Sequence, residues 1–199
     1  AAPALAEVGA ATAAVPLVVA LPEPGRADDD PRFAAAFCRD LADRSGVPID
    51  LSASELVRAG QTGAAVAFEI ALDLLRAGAR GVLVGAVDSY YHPGVLGALD
   101  AAGRLHAVDV RGGFIPSEGA AFALLVPRQS EGAIGHLLGV FSARDGEVAG
   151  GESSEARAMA ELVSRAVICA GPVSWLVSDV DGTDARARQW AQLVVSRRL

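Results

Sequence analysis

The sequence predicts an α/β protein built as a layered sheet, and three observations carry that expectation. Short apolar runs bounded by Gly and Pro alternate with longer segments of helical periodicity, the pattern of strands separated by helices. The order of elements in the first part of the chain returns in the second. Hydrophobic residues make up 52% of the 199 residues against 21% charged, so the chain is long and apolar enough for a core and does not read as disordered.

An Ala-rich segment up to about Ala14 is helix-like, and residues 15–21 read as a buried strand. Pro22-Glu23-Pro24-Gly25 forces a loop. Asp28-Asp29-Asp30 followed by Pro31 is a helix start, with an acidic cap and Pro at the first helical position. Carboxylates favoured by a helix N-terminus explain that triple charge better than a metal site does. Phe33, Phe37 and Leu41 give this helix one apolar face, and Gly46 ends it. Residues 47–51 form a short strand, and a helix over 60–77 stops at Gly78. Val66, Ile70, Leu74 and intervening alanines make that helix apolar almost all round, as expected of one buried between layers. Residues 82–87 are a fully buried strand, His92-Pro93 opens a helix to about Ala102, and strands follow over 120–126 and 133–142. The second part then runs helix 153–166, strand 173–178 and helix 184–197, echoing residues 30–77.

Composition closes off several function classes. The formal charge of −7 gives no general attraction to nucleic acid or to an anionic membrane. All 17 basic residues are Arg, so Schiff-base chemistry and the Walker-loop Lys are excluded. Cys38 and Cys169 are too few for a disulfide scaffold and lack metal-ligand spacing; both read as buried core residues. The run 15–21 is far too short to span a membrane and has no basic segment before it. A cytoplasmic protein is expected. His92, His106 and His136 read as structural.

The informative segment is 59–125. It contains Gly60-Gln61-Thr62-Gly63 before the apolar helix, then Gly85-Ala86-Val87-Asp88-Ser89, then Gly113-Phe114-Ile115-Pro116-Ser117-Glu118-Gly119-Ala120-Ala121. In order and spacing this resembles the N-terminal half of a β-ketoacyl-ACP synthase of the thiolase superfamily, over roughly residues 15–191. The resemblance implies a thiolase-like layered αβαβα fold built from two related halves, 1–127 and 128–199, incomplete at the chain ends. It also implies a nucleophile at the start of the buried helix, where the N-terminal dipole lowers a thiol pKa and backbone amides hold an oxyanion.

At that point the chain departs from the family. Counting back from Val87-Asp88 puts the cysteine position on Gly60, and neither Gln61 nor Thr62 is a plausible acyl carrier. The family's His-Gly-Thr-Gly-Thr aligns with Asp179-Val180-Asp181-Gly182-Thr183, where only Gly-Thr survives. No catalytic residue is therefore expected, and Gly60, Gln61, Thr62, Ser117 and Thr183 would line a vestigial substrate pocket. The resemblance implies a non-catalytic acyl-binding or partner subunit, analogous to chain-length factors, in fatty-acid or polyketide metabolism. No cofactor or metal is expected. Its partners would be an acyl-carrier protein or acyl-CoA, with a homodimer or a ketosynthase heterodimer; Arg186, Arg188, Arg197 and Arg198 form either a solvated helix face or a docking patch for an acidic carrier. One alternative is an acyltransferase or hydrolase using Thr62, Ser117 or Thr183. Another is a phosphatase, since Asp179 to Thr183 matches D-x-D-G-T, with Asp179 and Asp181 able to ligate Mg²⁺.

Two expectations concern assembly. A full thiolase fold needs more residues than these, so the chain is expected to be partial. The resemblance implies that the strand leading into the nucleophile helix, read as residues 47–51, pairs with a twofold mate that covers its exposed edge, whereas shielding by the loop 53–59 would leave a monomer.

Overall fold

The computed structural model describes residues 13–110, 112–142, 154–171, 173–180 and 183–195. Its elements run β1 (Leu17–Ala20), α1 (Pro31–Ser45), β2 (Glu55–Val57), a 3₁₀ turn (Gly60–Thr62), α2 (Gly63–Arg76), β3 (Val82–Ser89), α3 (Pro93–Ala101), β4 (Glu118–Leu125), α4 (Ser154–Ala170) and α5 (Asp184–Val195). The protein is mixed α/β, with one open four-stranded sheet in the order β2-β1-β3-β4. β1 is parallel to both β2 and β3, and β3 is antiparallel to β4 along its whole length. The chain divides into two compact units, one within Ala1–Val95 and Ser117–His136 and the other within Leu96–Pro116 and Leu137–Leu199.

The first unit contains the whole sheet. Leu17, Val18 and Val19 of β1 are completely buried, because a central parallel strand is covered on both faces. Removing each from water stabilises the fold by about 1.5–3 kcal/mol. Their alternation divides the core. Leu17, Val19 and Leu83 face Ala34, Phe37, Cys38 and Leu41 of α1, whereas Val18, Ala20, Val82 and Val84 face Ala67 and Ala71 of α2.

Local chemistry sets both boundaries of α1. The Asp30 carboxylate accepts from the Arg32 amide at 2.8 Å, Pro31 occupies the first turn, and Gly46 at φ 67° closes α1 with its N–H on the Ala42 carbonyl. In α2 the buried residues are Gly63, Ala67 and Ala71, a stripe of small side chains that brings the helix close to the sheet. A Cβ on Gly63 would sit 3.1 Å from the Ala20 Cβ. Most other α2 side chains are half-buried or exposed, so this helix lies on one face and is not enclosed between layers as its apolar sequence suggested.

The expected strand 47–51 is reduced to one parallel bridge, Ile49 with Val15. The strand beside β1 is β2 instead, after an exposed turn closed by the Ala53 amide on the Asp50 carbonyl at 3.3 Å. This turn leaves a gap opposite Leu17. Ser54 fills it, its Oγ accepting from the Leu17 amide at 2.9 Å and donating to the Asp50 carbonyl at 2.7 Å.

β3 and β4 extend where expected, but burial fades along them: Val82 to Val84 are buried, whereas residues 118–123 are exposed. Gly85 is required there, since a Cβ would collide with the Phe122 ring.

In the second unit, α4 packs on α5, with Ala160 and Leu193 buried. Arg165 lies over the Phe141 ring at 4.9 Å. Gly113 packs against the Leu105 backbone, 2.6 Å from where its Cβ would be, and Gly112 at φ 72° makes the turn before it. Neither 133–142 nor 173–178 is a strand: both lack a ladder, and Trp175 and Val177 are each 87% exposed. Because α4 runs on to Ala170, Cys169 is helical and exposed, not a core residue. The expected N-terminal helix lies outside the described residues, apart from Ala13 and Ala14, which are not helical.

Candidate functional site

The sheet register places one row of residues across the strands: Val57, Ala20, Ala86 and Ala121 are successive neighbours. Moving three positions along toward the carboxyl edge of the parallel strands reaches Gly60, Glu23 and Ser89. On antiparallel β4 the same edge is reached three positions back, at Glu118, which pairs directly with Ser89. Chain order adds meaning to this edge. From β1 the chain goes to β2 on one side and then to β3 on the other, so β1 and β3 flank a topological switch point, where open parallel sheets take ligands.

The loop 22–30 after β1 lies along this edge and is tied down at two places. Arg26 bonds Asp88 at 2.8 Å, the Ser89 carbonyl at 2.8 Å and Asp28 at 2.6 Å, and its guanidinium sits 5.2 Å from the Tyr90 ring centroid. Arg58, just past β2, bonds the Pro22 carbonyl at 2.9 Å and Asp29 at 2.7 Å. Planar guanidinium suits such multidentate work better than an ammonium group would.

These contacts set the local charge states. The bond from Arg26 holds the Asp28 carboxyl below the usual range, against a smaller desolvation effect. The Gly25 amide, then Arg58, does the same for Asp29. The bond to Asp28 holds the Arg26 proton more firmly than usual. Fixed as ionised partners, Asp28 and Asp29 are poorly suited to deliver protons near neutral pH.

At the far end of the row the Ser89 hydroxyl donates to Glu118 Oε2 at 3.1 Å and accepts from the Tyr91 amide at 3.2 Å. Next to it the Tyr90 amide donates to the Ser117 carbonyl at 3.1 Å. His92 is structural as expected, its Nδ1 accepting from the Gly94 amide at 3.2 Å to cap α3. Glu118 is exposed and takes the Ser89 side chain as its partner.

Of the expected pocket residues, Gly60, Gln61 and Thr62 form the 3₁₀ turn between β2 and α2. Gly60 has φ 56°, and a Cβ there would collide with the Glu23 carboxylate. The Thr62 hydroxyl donates to the Ala59 carbonyl at 2.9 Å, while Gln61 is exposed. Ser117 is exposed at the start of β4, on the same edge. Thr183 belongs to the second unit, where its carbonyl accepts from the Ala187 amide at 3.1 Å at the start of α5.

In the D-x-D-G-T stretch, Asp179 accepts from Trp190 Nε1 at 3.1 Å and pairs with Arg186 at 3.0 Å. Asp181 and Gly182 lie outside the described residues, as do Arg197 and Arg198. Among the described residues no group of three or more His, Cys, Asp and Glu side chains could hold a metal ion. Nor is any described helix long and apolar enough to cross a membrane.

Glu23, Arg26 and Arg58 escaped sequence reasoning. The one local hint was Arg26 beside the acidic run 28–30; its partners Asp88 and Ser89 are brought to it only by the sheet.

Fold and edge together define a mixed-sheet α/β protein with a polar, arginine-tied carboxyl edge. No family model matches the chain, and a comparison with curated proteins finds no match.

Proposed function

We propose that the chain is a ketosynthase-like protein of thiolase-type architecture that has lost its nucleophile and serves as a non-catalytic acyl-binding or partner subunit in fatty-acid or polyketide metabolism. One observation carries the reading. Three motifs far apart in sequence (the Gly60 turn, Asp88-Ser89 and Glu118-Gly119) fall on one edge of one sheet, and the first of them leads from a strand into a helix, the setting that the resemblance implies for it. The chemistry at the turn supports the non-catalytic half of it. A thiolate at Gly60 would face the Glu23 carboxylate, and like charge raises a thiol pKa.

Its partners would be an acyl-carrier protein or acyl-CoA, with Gly60, Gln61, Thr62 and Ser117 as the acyl-facing residues. The test is mass spectrometry of the purified protein after incubation with acyl-thioesters and malonyl-ACP, together with equilibrium binding of a non-hydrolysable acyl-pantetheine. Saturable binding without a covalent adduct or condensation product is the expected result. Condensation would overturn the loss of catalysis, and a covalent adduct on Thr62, Ser117 or Thr183 would favour acyl transfer or hydrolysis. An absence of binding would overturn the acyl reading.

A further inference from the structure

The loop 22–30 brings a carboxylate to Gly60, the position where the resemblance implies a nucleophilic side chain that this chain lacks. We infer that Glu23 is a gate on the Gly60 turn: its carboxylate takes the space that a side chain at position 60, or an acyl group approaching it, would need. This inference rests on reading that turn as the vestigial site.

The geometry is specific. Glu23 Oε2 lies so close to Gly60 that a Cβ could not be added without displacing it. The Glu23 side chain is exposed, and what is fixed is the backbone of its loop, which is held on both sides of it. Arg58 grips the neighbouring Pro22 carbonyl at 2.9 Å and Asp29 at 2.7 Å. Arg26 grips Asp88 at 2.8 Å and the Ser89 carbonyl at 2.8 Å. The two arginines thus clamp the loop at the exits of β2 and β3, with Glu23 between those exits and over the turn. Gly60 itself adopts φ 56°, a conformation that other side chains rarely take, so the turn is shaped for the absence of a side chain. The gate excludes by volume and by charge, and it discriminates most strongly against anionic acyl groups such as a malonyl carboxylate.

The test uses the full chain with Cys38→Ser and Cys169→Ser, so that a thiol introduced by Gly60→Cys is unique. Its alkylation by neutral iodoacetamide and by anionic iodoacetate is timed with Glu23 present, with Glu23→Gln and with Glu23→Ala. Glu23→Gln is expected to speed iodoacetate at least about fivefold, most of one pKa unit of thiolate release, and to speed it more than iodoacetamide. Glu23→Ala is expected to speed both reagents. Equal rates in all three backgrounds would overturn the gate.

Since Gly60→Cys strains the turn, a second measurement leaves Gly60 in place. Amide hydrogen exchange over Gly60–Thr62 is expected to quicken several-fold in Glu23→Ala and in the clamp variant Arg58→Gln; unchanged exchange in both would also overturn it. The two ideas fail separately. A labelling response without acyl-pantetheine binding leaves the gate and removes the acyl function, whereas acyl binding with equal labelling rates removes only the gate.

Discussion

Ser54 keeps a sheet continuous where the chain is too long for its ladder. Between Ile49, bridged to Val15, and Glu55, paired with Val18, more residues lie on the β2 side than on the β1 side, and the excess loops out as a turn. The Leu17 amide, on a fully buried residue, would face that gap without an acceptor if the Ser54 hydroxyl were absent. An unsatisfied buried amide costs about 1–3 kcal/mol. Ser54→Ala is therefore expected to lower stability by that amount in urea unfolding, with an unchanged m-value, while Ser54→Thr recovers most of it. A full loss in Ser54→Thr as well would mean that side-chain volume matters, not the hydroxyl.

Among the elements, the loop 22–30 has the clearest electrostatic signature. Asp28 and Asp29 have folded pKa values below their unfolded ones, so their contribution is fully present above the unfolded value of about 4. It is lost as pH falls through the depressed folded values. The urea midpoint should thus fall steadily from about pH 4 downward, and Arg26→Gln with Arg58→Gln should flatten that slope. Part of the slope should survive in the double variant, because the Asp50 carboxyl is also held low, chiefly by the Ser52 hydroxyl. A midpoint independent of pH below about 4 would contradict the clamp.

The sequence made some elements legible and others not, for physical reasons. β1, α1 and α2 could be read because their signals are local: an uninterrupted apolar run, an Asp30-Pro31 start, and Gly46 and Gly78 as stops. β2 was missed because Glu55–Val57 is too short to show alternation, whereas Val47, Ile49 and Leu51 alternate well and drew the assignment. Residues 133–142 and 173–178 have strand composition but no ladder, and a ladder depends on a partner strand that local pattern does not reveal. The site divides the same way. Gly60, Ser89 and Glu118 were visible as motifs; the clamp was not, since Arg26 and Asp88 meet only after the strands pair.

For the molecule as a whole, the sheet edge carries the proposal of self-association. The strand leading into the Gly60 turn is β2, at the edge of the sheet, so β2 replaces residues 47–51 as the strand that a twofold mate would extend. Light scattering at micromolar concentration is expected to give a dimer mass. Ile49→Pro probes this edge without touching the β1 ladder, because the bridge there uses the Pro48 carbonyl and the Asp50 amide. The variant should remain folded by circular dichroism while its dimer weakens. A persistent monomer in the unsubstituted protein would dismiss the arrangement.

The central position of β1 also governs how fast the molecule can be made. Val18 pairs with Glu55 on one side and Val84 on the other, and both pairings are parallel, so no short hairpin can start the sheet. Among the described strands, β3 and β4 alone meet as an antiparallel pair, and α3 lies between them in the chain. The cost of closing long loops comes before the burial that offsets it, and such topologies fold slowly, on a scale of about milliseconds to seconds. While β1 waits, its four apolar residues are open to any passing edge. Refolding from urea by rapid dilution should show a slow main phase, and its yield should fall as protein concentration rises, with the loss confined to chains that have not yet closed around β1.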